Sequence, residues 1–249
     1  MNQSTRHPKP SISCVCITKG RPALLQKAIG HFDAQTYENK NLVIVYEGDE
    51  DLSPKNHSSE RIKIIRLPAG SELSLGERRN LSIQNCTGDY FCQWDDDDWY
   101  HNRRLELQME ALARSEKSAC VLTRLILYDG LGRRAYLSSQ RNWEGTLLCS
   151  TNLFKDSFRY PQVNRSEDNS LVVNLLKNDY VHALSAPHLY AYYFHGKNTW
   201  DQAHFNQLFQ SGYILDNLTT KTIEKVFLGE YNSEDASQKV QALNLDVLR

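Results

Sequence analysis

Four consecutive carboxylates, Asp95-Asp96-Asp97-Asp98, stand between Trp94 and Trp99-Tyr100. Adjacent carboxylates repel one another, so such a run is costly unless a cation neutralises it. A solvated acidic loop is the ordinary alternative, but such loops rarely follow an apolar run and sit between aromatic residues. Oxygen ligands of this kind select hard cations, Mg2+, Mn2+ or Ca2+, over zinc or copper. The run has neither the ligand spacing nor the central glycine of an EF-hand loop, which argues against a calcium sensor. With few protein ligands the metal needs oxygens from elsewhere, and a diphosphate supplies them. At a strand end alternate residues share a face, so Asp95 and Asp97 are expected to point the same way.

Downstream, Glu167-Asp168 precedes Asn169-Ser170 and the apolar Leu171-Val172-Val173. Acidic residues favour a helix N-terminus, and a pair that opens a helix can also face a cleft. His195 follows an aromatic stretch, residues 190–194, and on residues alone reads as a packed or surface histidine. The Arg78-Arg79 and Arg103-Arg104 pairs could meet phosphates, although solvated helix faces explain them nearly as well.

The elements that must position these groups follow from periodicity. Residues 11–18 (SISCVCIT) form a short β-rich apolar run, the kind that makes a buried strand. Lys19-Gly20-Arg21-Pro22 breaks it, and Pro22 suits the first turn of a helix over 23–32. Residues 41–46 (NLVIVY) predict a second buried strand, ended by Glu47-Gly48-Asp49, and 61–67 (RIKIIRL) alternate as a third. A helix is expected over 74–85, and Thr87-Gly88-Asp89 turns it into a fourth strand over 90–94. Strand and helix alternate at βαβ spacing, which predicts a parallel sheet with helices on both faces. Ligands bind beyond the carboxyl ends of such strands. Thr18, Glu47 and Asp95 are therefore expected on one rim. Further on, 104–114 predict a helix, 119–128 one extended stretch, Gly130 and Gly132 a hairpin-like turn, and 143–193 a mixture of helix and loop.

The 249 residues carry a formal net charge of -1, with 40% apolar and 24% charged residues. That is a globular balance without the global basic field that attracts nucleic acid. No apolar run is long enough to span a bilayer, and the polar first ten residues lack a signal peptide's apolar core. Six cysteines form no CxxC pair and several lie in apolar runs, which predicts buried, reduced thiols in a cytoplasmic protein. The expected organisation is a flexible tail over 1–10, one domain over 11–229 dividing near residue 110, and a C-terminal tail over 230–249.

Trp94 to Leu105 (WDDDDWYHNRRL) resembles the DxD segment of family 2 glycosyltransferases. The first strand ending at Thr18, the second ending in an acidic residue, and Arg79-Asn80 before Thr87-Gly88-Asp89-Tyr90 are similar to the same family. Glu167-Asp168 with Asn169-Ser170-Leu171 resembles its ED motif. Four motifs in order are more specific than a lone DxD. The resemblance spans about residues 11–205 and implies a GT-A, Rossmann-like α/β fold, with a mostly parallel central sheet flanked by helices and a smaller acceptor-side subregion. On that basis 11–110 would be the nucleotide-sugar half and 111–229 the acceptor half.

The resemblance implies metal-dependent transfer of a sugar, with inversion, from a nucleotide sugar, UDP-linked first, to a saccharide or lipid-linked saccharide. It gives the metal, Mn2+ or Mg2+, to Asp97 with Asp95, and the donor to Thr18, Arg21, Glu47, Arg79, Asp95 and Asp96. A late histidine completes the metal shell in GT-A enzymes; His195 and His204 are the candidates, His195 first because it ends an apparent strand. Asp168 would be the catalytic base with Glu167 in support. Trp143, Tyr160 and Trp200 could stack against a sugar, although aromatics more often fill cores. The chain departs from the family in having Tyr46-Glu47 where two aspartates are frequent, and Arg21 at a frequently uncharged position. The location implied is cytoplasmic, with peripheral contact at the inner membrane face left open. Two rivals stand beside this reading. A sugar-phosphate nucleotidyltransferase usually has a Gly-rich basic loop after its first strand, and Lys19-Gly20-Arg21-Pro22 is a poor version of it. A non-catalytic metal- or nucleotide-binding module needs neither Glu167-Asp168 nor Glu47.

Overall fold

The computed structural model describes residues 9–48 and 59–245. Residues 1–8 of the expected tail, Asp49 after the second strand, and residues 246–249 lie outside the described residues. The first half runs β1 (Ile12–Lys19), α1 (Pro22–Asp33), β2 (Lys40–Glu47), β3 (Ile62–Leu67), α2 (Leu75–Gln84), β4 (Tyr90–Gln93), β5 (Trp99–Tyr100) and α3 (Arg104–Ser115). The second runs β6 (Ala119–Leu122), β7 (Ile126–Asp129), β8 (Arg134–Leu137), β9 (Trp143–Ser150), α4 (Thr151–Ser157), α5 (Glu167–Lys177) and β10 (Val181–Leu184). It ends with β11 (Tyr190–Phe194), α6 (Gln202–Ser211), β12 (Tyr213–Ile214), α7 (Asn217–Leu228) and α8 (Ser233–Gln241).

Among the described residues, seven strands form a sheet in the order β10-β6-β9-β4-β1-β2-β3. β1 pairs in parallel with both β2 and β4, and β2 with β3; β9 is antiparallel to β4 and β6. The apolar runs of β1 and β2 are buried on both sides because helices cover both faces. Cys14, Cys16, Leu42 and Ile44 face Leu25, Ile29 and Phe32 of α1 and Leu105 and Leu112 of α3. Val15, Val43 and Phe91 face the other way, against Ile83 of α2, Phe154 of α4 and Leu171 and Leu175 of α5. Each large side chain buried in this way contributes about 1.5–3 kcal/mol. Gly20, at φ +58, takes the left-handed turn that leads β1 into α1, where Pro22 begins the helix at a position whose N–H would be unpaired anyway.

A second sheet, in the order β12-β8-β7-β11-β5, abuts the first at the acidic run. β5 follows that run and pairs antiparallel with β11, Trp99 opposite Ala191 and Tyr100 opposite Tyr190. The four aspartates therefore form the passage from one sheet into the other. α7 and α8 cover the second sheet with Ile223, Val226, Ala236 and Val240. The fold is α/β, with a mostly parallel central sheet flanked by helices. Two expectations need correction. Residues 119–128 are not one extended stretch: β6 and β7 belong to different sheets, and the chain turns between them at residues 123–125. Residues 143–193 are not helix and loop alone, since β9, β10 and β11 lie within them.

Candidate active site

The acidic run divides its four carboxylates among different partners. Asp96, almost fully buried, accepts a hydrogen bond from the Thr18 hydroxyl and lies 2.6 Å from Arg21 Nη2. Asp97 accepts from Arg21 Nη1 at 2.9 Å, and its Oδ2 is 3.2 Å from His195 Nε2. Asp98 turns away from the cleft, accepts from the Tyr193 amide at 2.9 Å and from the Tyr190 hydroxyl, and so pins the run to β11. Asp95 is the open one, with its side chain 29% exposed and 3.6 Å from Arg79 Nη2.

Their ionisation follows from burial and neighbours. Burial pushes Asp95 up, against the pull of Arg79. Burial, reinforced by Asp97, pushes Asp96 up to about 7 despite Arg21 and Thr18. Burial also opposes charge on Asp97, but His195 and Arg21 more than offset it and hold that carboxyl below its ordinary value. Asp98 is driven well above the carboxylate range, first by burial and then by Asp97 and Asp95. The cluster thus carries less charge than its composition suggests, and Arg21 is its internal counter-ion.

Arg79 joins this cluster to the downstream acidic pair. It is buried in α2, and its Nε donates to Glu167 Oε1 at 2.8 Å while Nη1 donates to Gln93 Oε1 at 2.5 Å. Gln93 donates in turn to the Tyr160 hydroxyl, and the Tyr160 ring lies 5.9 Å from the guanidinium. Burial works against the charge of Arg79, but Asp95 and Glu167 outweigh it. The helix is set here by a Ser74–Glu77 capping box and by Gly76, where an added Cβ would lie 1.8 Å from the Pro161 carbonyl. That close approach brings the loop before α5 against the start of α2, and the Leu75 amide donates to Asn164 Oδ1 at 2.9 Å. Ser166 then takes a left-handed conformation, φ 58, and α5 opens with Glu167 buried inward and Asp168 on the cleft wall.

The cleft has a volume of about 300 Å³. Arg21, Arg79, Asp95, Asp96, Asp97 and Asp168 line it together with Trp143, Trp200 and His204. Thr18 reaches the cleft through Asp96. Glu47 ends β2 on the same rim, opposite Lys19 in register. Its carboxylate is held by Lys19 at 2.8 Å, Arg78 at 2.6 Å and the Gly70 amide at 3.1 Å, and it stands apart from the cleft lining. His195 is brought to Asp97, whereas His204 stacks on Trp200 at 4.4 Å. Tyr160 is buried among structural partners, and Trp143 is buried beneath Arg141. Sequence reasoning missed Gln93 and Tyr190. Gln93 left a signal, a polar residue closing an apolar strand directly before the acidic run; Tyr190 left none, because its register against Tyr100 is a tertiary fact.

Asp97 and His195 present a carboxylate oxygen and an imidazole nitrogen 3.2 Å apart, a pair whose carboxylate suits Mn2+ or Mg2+. Among the described residues no three His, Cys, Asp or Glu side chains converge as a metal cage. An ion held by two such side chains would need its remaining oxygens from a ligand and water.

The profile of glycosyl transferase family 2 matches residues 13–169, which contain the acidic run and the Glu167-Asp168 pair. An uncharacterised glycosyltransferase of Rickettsia conorii is 27% identical over 103 residues, 39% of this chain and 16% of that protein. One from Rickettsia felis is 26% identical over 118 residues, 45% of this chain and 19% of its own length. The chain thus spans less than a fifth of either relative. Staphylococcus aureus TarS 1-349 in complex with UDP-GlcNAc superposes with a TM-score of 0.61 at 14% identity, over 94% of this chain and 71% of that one. A Pyrobaculum calidifontis mannosyltransferase in complex with GDP-Man and Mn2+ gives 0.59 at 12%, over 96% and 76%. At these identities the likeness is one of fold, the GT-A arrangement. The matched profile spans more than half the chain and both acidic motifs, and the chain belongs to glycosyl transferase family 2.

Proposed function

We propose that the chain transfers a sugar, with inversion, from a nucleoside-diphosphate sugar to a hydroxyl of a saccharide or lipid-linked saccharide, with Mn2+ or Mg2+ bound. The observation that carries this reading is the cleft itself, in which Arg79 joins Asp95 of the acidic run to Glu167 beside Asp168. Residues 11–110 form the donor half and 111–229 the acceptor half. Asp97 and His195 hold the metal, with Asp95 alongside; the ion offsets charge that develops on the leaving diphosphate. Asp95 and Asp96 face the ribose, Thr18 and Glu47 shape the base side of the rim from behind the lining, through Asp96 and through Lys19 and Arg78, and Arg21 and Arg79 supply guanidinium N–H donors for the phosphates. Asp168, on the cleft wall and free of any metal role, takes the proton of the attacking hydroxyl. Glu167 holds Arg79 and the start of α5 in place.

A uridine donor is favoured because TarS is described with UDP and UDP-GlcNAc, although the mannosyltransferase is described with GDP-Man. Nucleotidyl transfer would need a Gly-rich loop after β1 to cradle a triphosphate, whereas Lys19-Gly20-Arg21-Pro22 holds one glycine and runs directly into α1. No helix among the described residues is long and apolar enough to cross a membrane. A screen of UDP-, GDP- and dTDP-sugars for nucleoside-diphosphate release, with Mn2+ and a mixture of saccharide acceptors, tests the proposal. Release from one nucleotide class that rises with acceptor is expected; pyrophosphate release from a nucleoside triphosphate and a sugar phosphate would overturn it.

A further inference from the structure

Part of the cleft lining carries two arginines laid on indole rings. The Arg165 guanidinium lies 5.4 Å from the Trp200 ring, and the His204 ring stacks on that indole at 4.4 Å and 20°. Arg141 lies 4.5 Å from the Trp143 ring. Burial, and then Arg141, hold the His204 pKa down, so the two groups sense one another. All five side chains line the cleft.

The arginines that line the cleft differ in how they are matched. Arg21 faces Asp96 and Asp97, and Arg79 faces Asp95 and Glu167. Arg141 shares Glu144 at 2.5 Å, and Arg165 has no acidic partner among the described residues. A guanidinium laid on an aromatic ring is held in orientation by cation–π attraction, while its edge N–H groups stay free to bind two oxygens at once. A neutral sugar would leave that capacity unused. Arg165 also lies three positions before Asp168 in the same loop-to-helix turn, so an anion held there is close to the base.

We infer that this stretch of the cleft lining is an anion-recognising acceptor subsite, and that the acceptor is a saccharide bearing a phosphate or a carboxylate. Arg165 grips the anionic group, Arg141 adds a second guanidinium, His204 stacks as a neutral ring on Trp200, and Trp200 gives the apolar surface beside the sugar ring. The inference rests on the sugar-transfer reading for the word acceptor, but the binding it predicts is measured without turnover. The test titrates the chain, with and without UDP and Mn2+, with glucose 6-phosphate, glucuronic acid, glucose and inorganic phosphate. Tryptophan fluorescence and saturation-transfer NMR read the binding.

Glucose 6-phosphate or glucuronic acid should bind at least about tenfold more tightly than glucose and than phosphate. The better of the two identifies the anion as phosphate or carboxylate. Arg165→Met should abolish the preference while UDP affinity stays at the wild-type value, and Trp200→Leu should weaken the sugar phosphate more than inorganic phosphate. Equal affinity for glucose and the charged sugars, or a preference that survives Arg165→Met, overturns the inference. Inorganic phosphate binding as tightly as the sugar phosphate also overturns it. Failure of UDP to bind would count against the donor reading instead, because the sugar titrations without UDP are read separately.

Discussion

Replacing Arg21 with methionine removes the cation that the structure places between two buried carboxylates, 2.6 Å from Asp96 and 2.9 Å from Asp97. The cost should depend on pH in a way the geometry fixes. Asp96 is already pushed up to about 7 with Arg21 present, against an ordinary value of 3.8. A carboxyl raised in the folded state binds a proton there that the unfolded chain has lost. Stability therefore falls as pH rises from the unfolded value through the folded one, and levels off above it. Without Arg21 the Asp96 carboxyl rises further, so in the variant the fall continues to higher pH. Near pH 6 Asp96 is protonated in both proteins, and only the Asp97 contact is lost, about 1 kcal/mol since His195 remains. Near pH 8.5 each further unit of pKa adds about 1.4 kcal/mol, and with Arg21 partly exposed the total should be about 3 kcal/mol. Urea unfolding of both proteins in chelator at the two pH values measures this. Equal losses at both, or a larger loss at the lower pH, would show that Arg21 does not neutralise the acidic run.

Asp168→Asn keeps size and polarity but removes the base, so turnover with acceptor should fall about 10²–10⁴-fold with UDP affinity little changed; near wild-type turnover would move the role to Glu167. Arg79→Met leaves Glu167 buried without its cation and should destabilise the chain by about 3–5 kcal/mol. Adding Glu167→Gln should recover part of that loss, and strict additivity of the two changes in urea unfolding would mean they do not form a unit. His101 is held down at about 4 by burial and then by His188 and Arg103. The unfolded chain thus binds its proton first as pH falls from about 6.5 to 4, and up to about 3 kcal/mol of stability is lost in that window. The acid-side slope of stability against pH should be shallower in His101→Gln; an identical slope would remove His101 from the account.

What the sequence revealed follows the physics of burial. β1, β2 and β4 are continuous apolar runs because helices cover both faces of the sheet, so their positions and their shared rim were legible. β9 was not, because Trp143-Glu144-Gly145-Thr146 mixes polar and apolar residues where the strand enters the cleft beside Asp95. The break between β6 and β7 was hidden for another reason. Both flanks are apolar, and only tertiary pairing assigns them to different sheets. In the site, composition drew attention to all four aspartates alike. Their separate environments, Asp98 pinned to Tyr190 and Tyr193 and Asp97 beside His195, depend on β11, ninety residues downstream by sequence. Arg21 was visible as a departure from the family pattern, but its pairing with Asp96 and Asp97 required the turn at Gly20 that leads β1 into α1.

The central claim, that the acidic cleft is a metal-assisted nucleoside-diphosphate site, is tested most directly by calorimetric titration of the chain with UDP, and with GDP as the alternative nucleotide, in Mn2+ and in chelator. One of the two should bind in Mn2+, with affinity at least about tenfold weaker after chelation, and Asp97→Ala should bind at the weak, chelated value in both conditions while unfolding as a normal cooperative domain. Equal affinity with and without metal, or an Asp97→Ala protein that keeps the full metal effect, would contradict the claim.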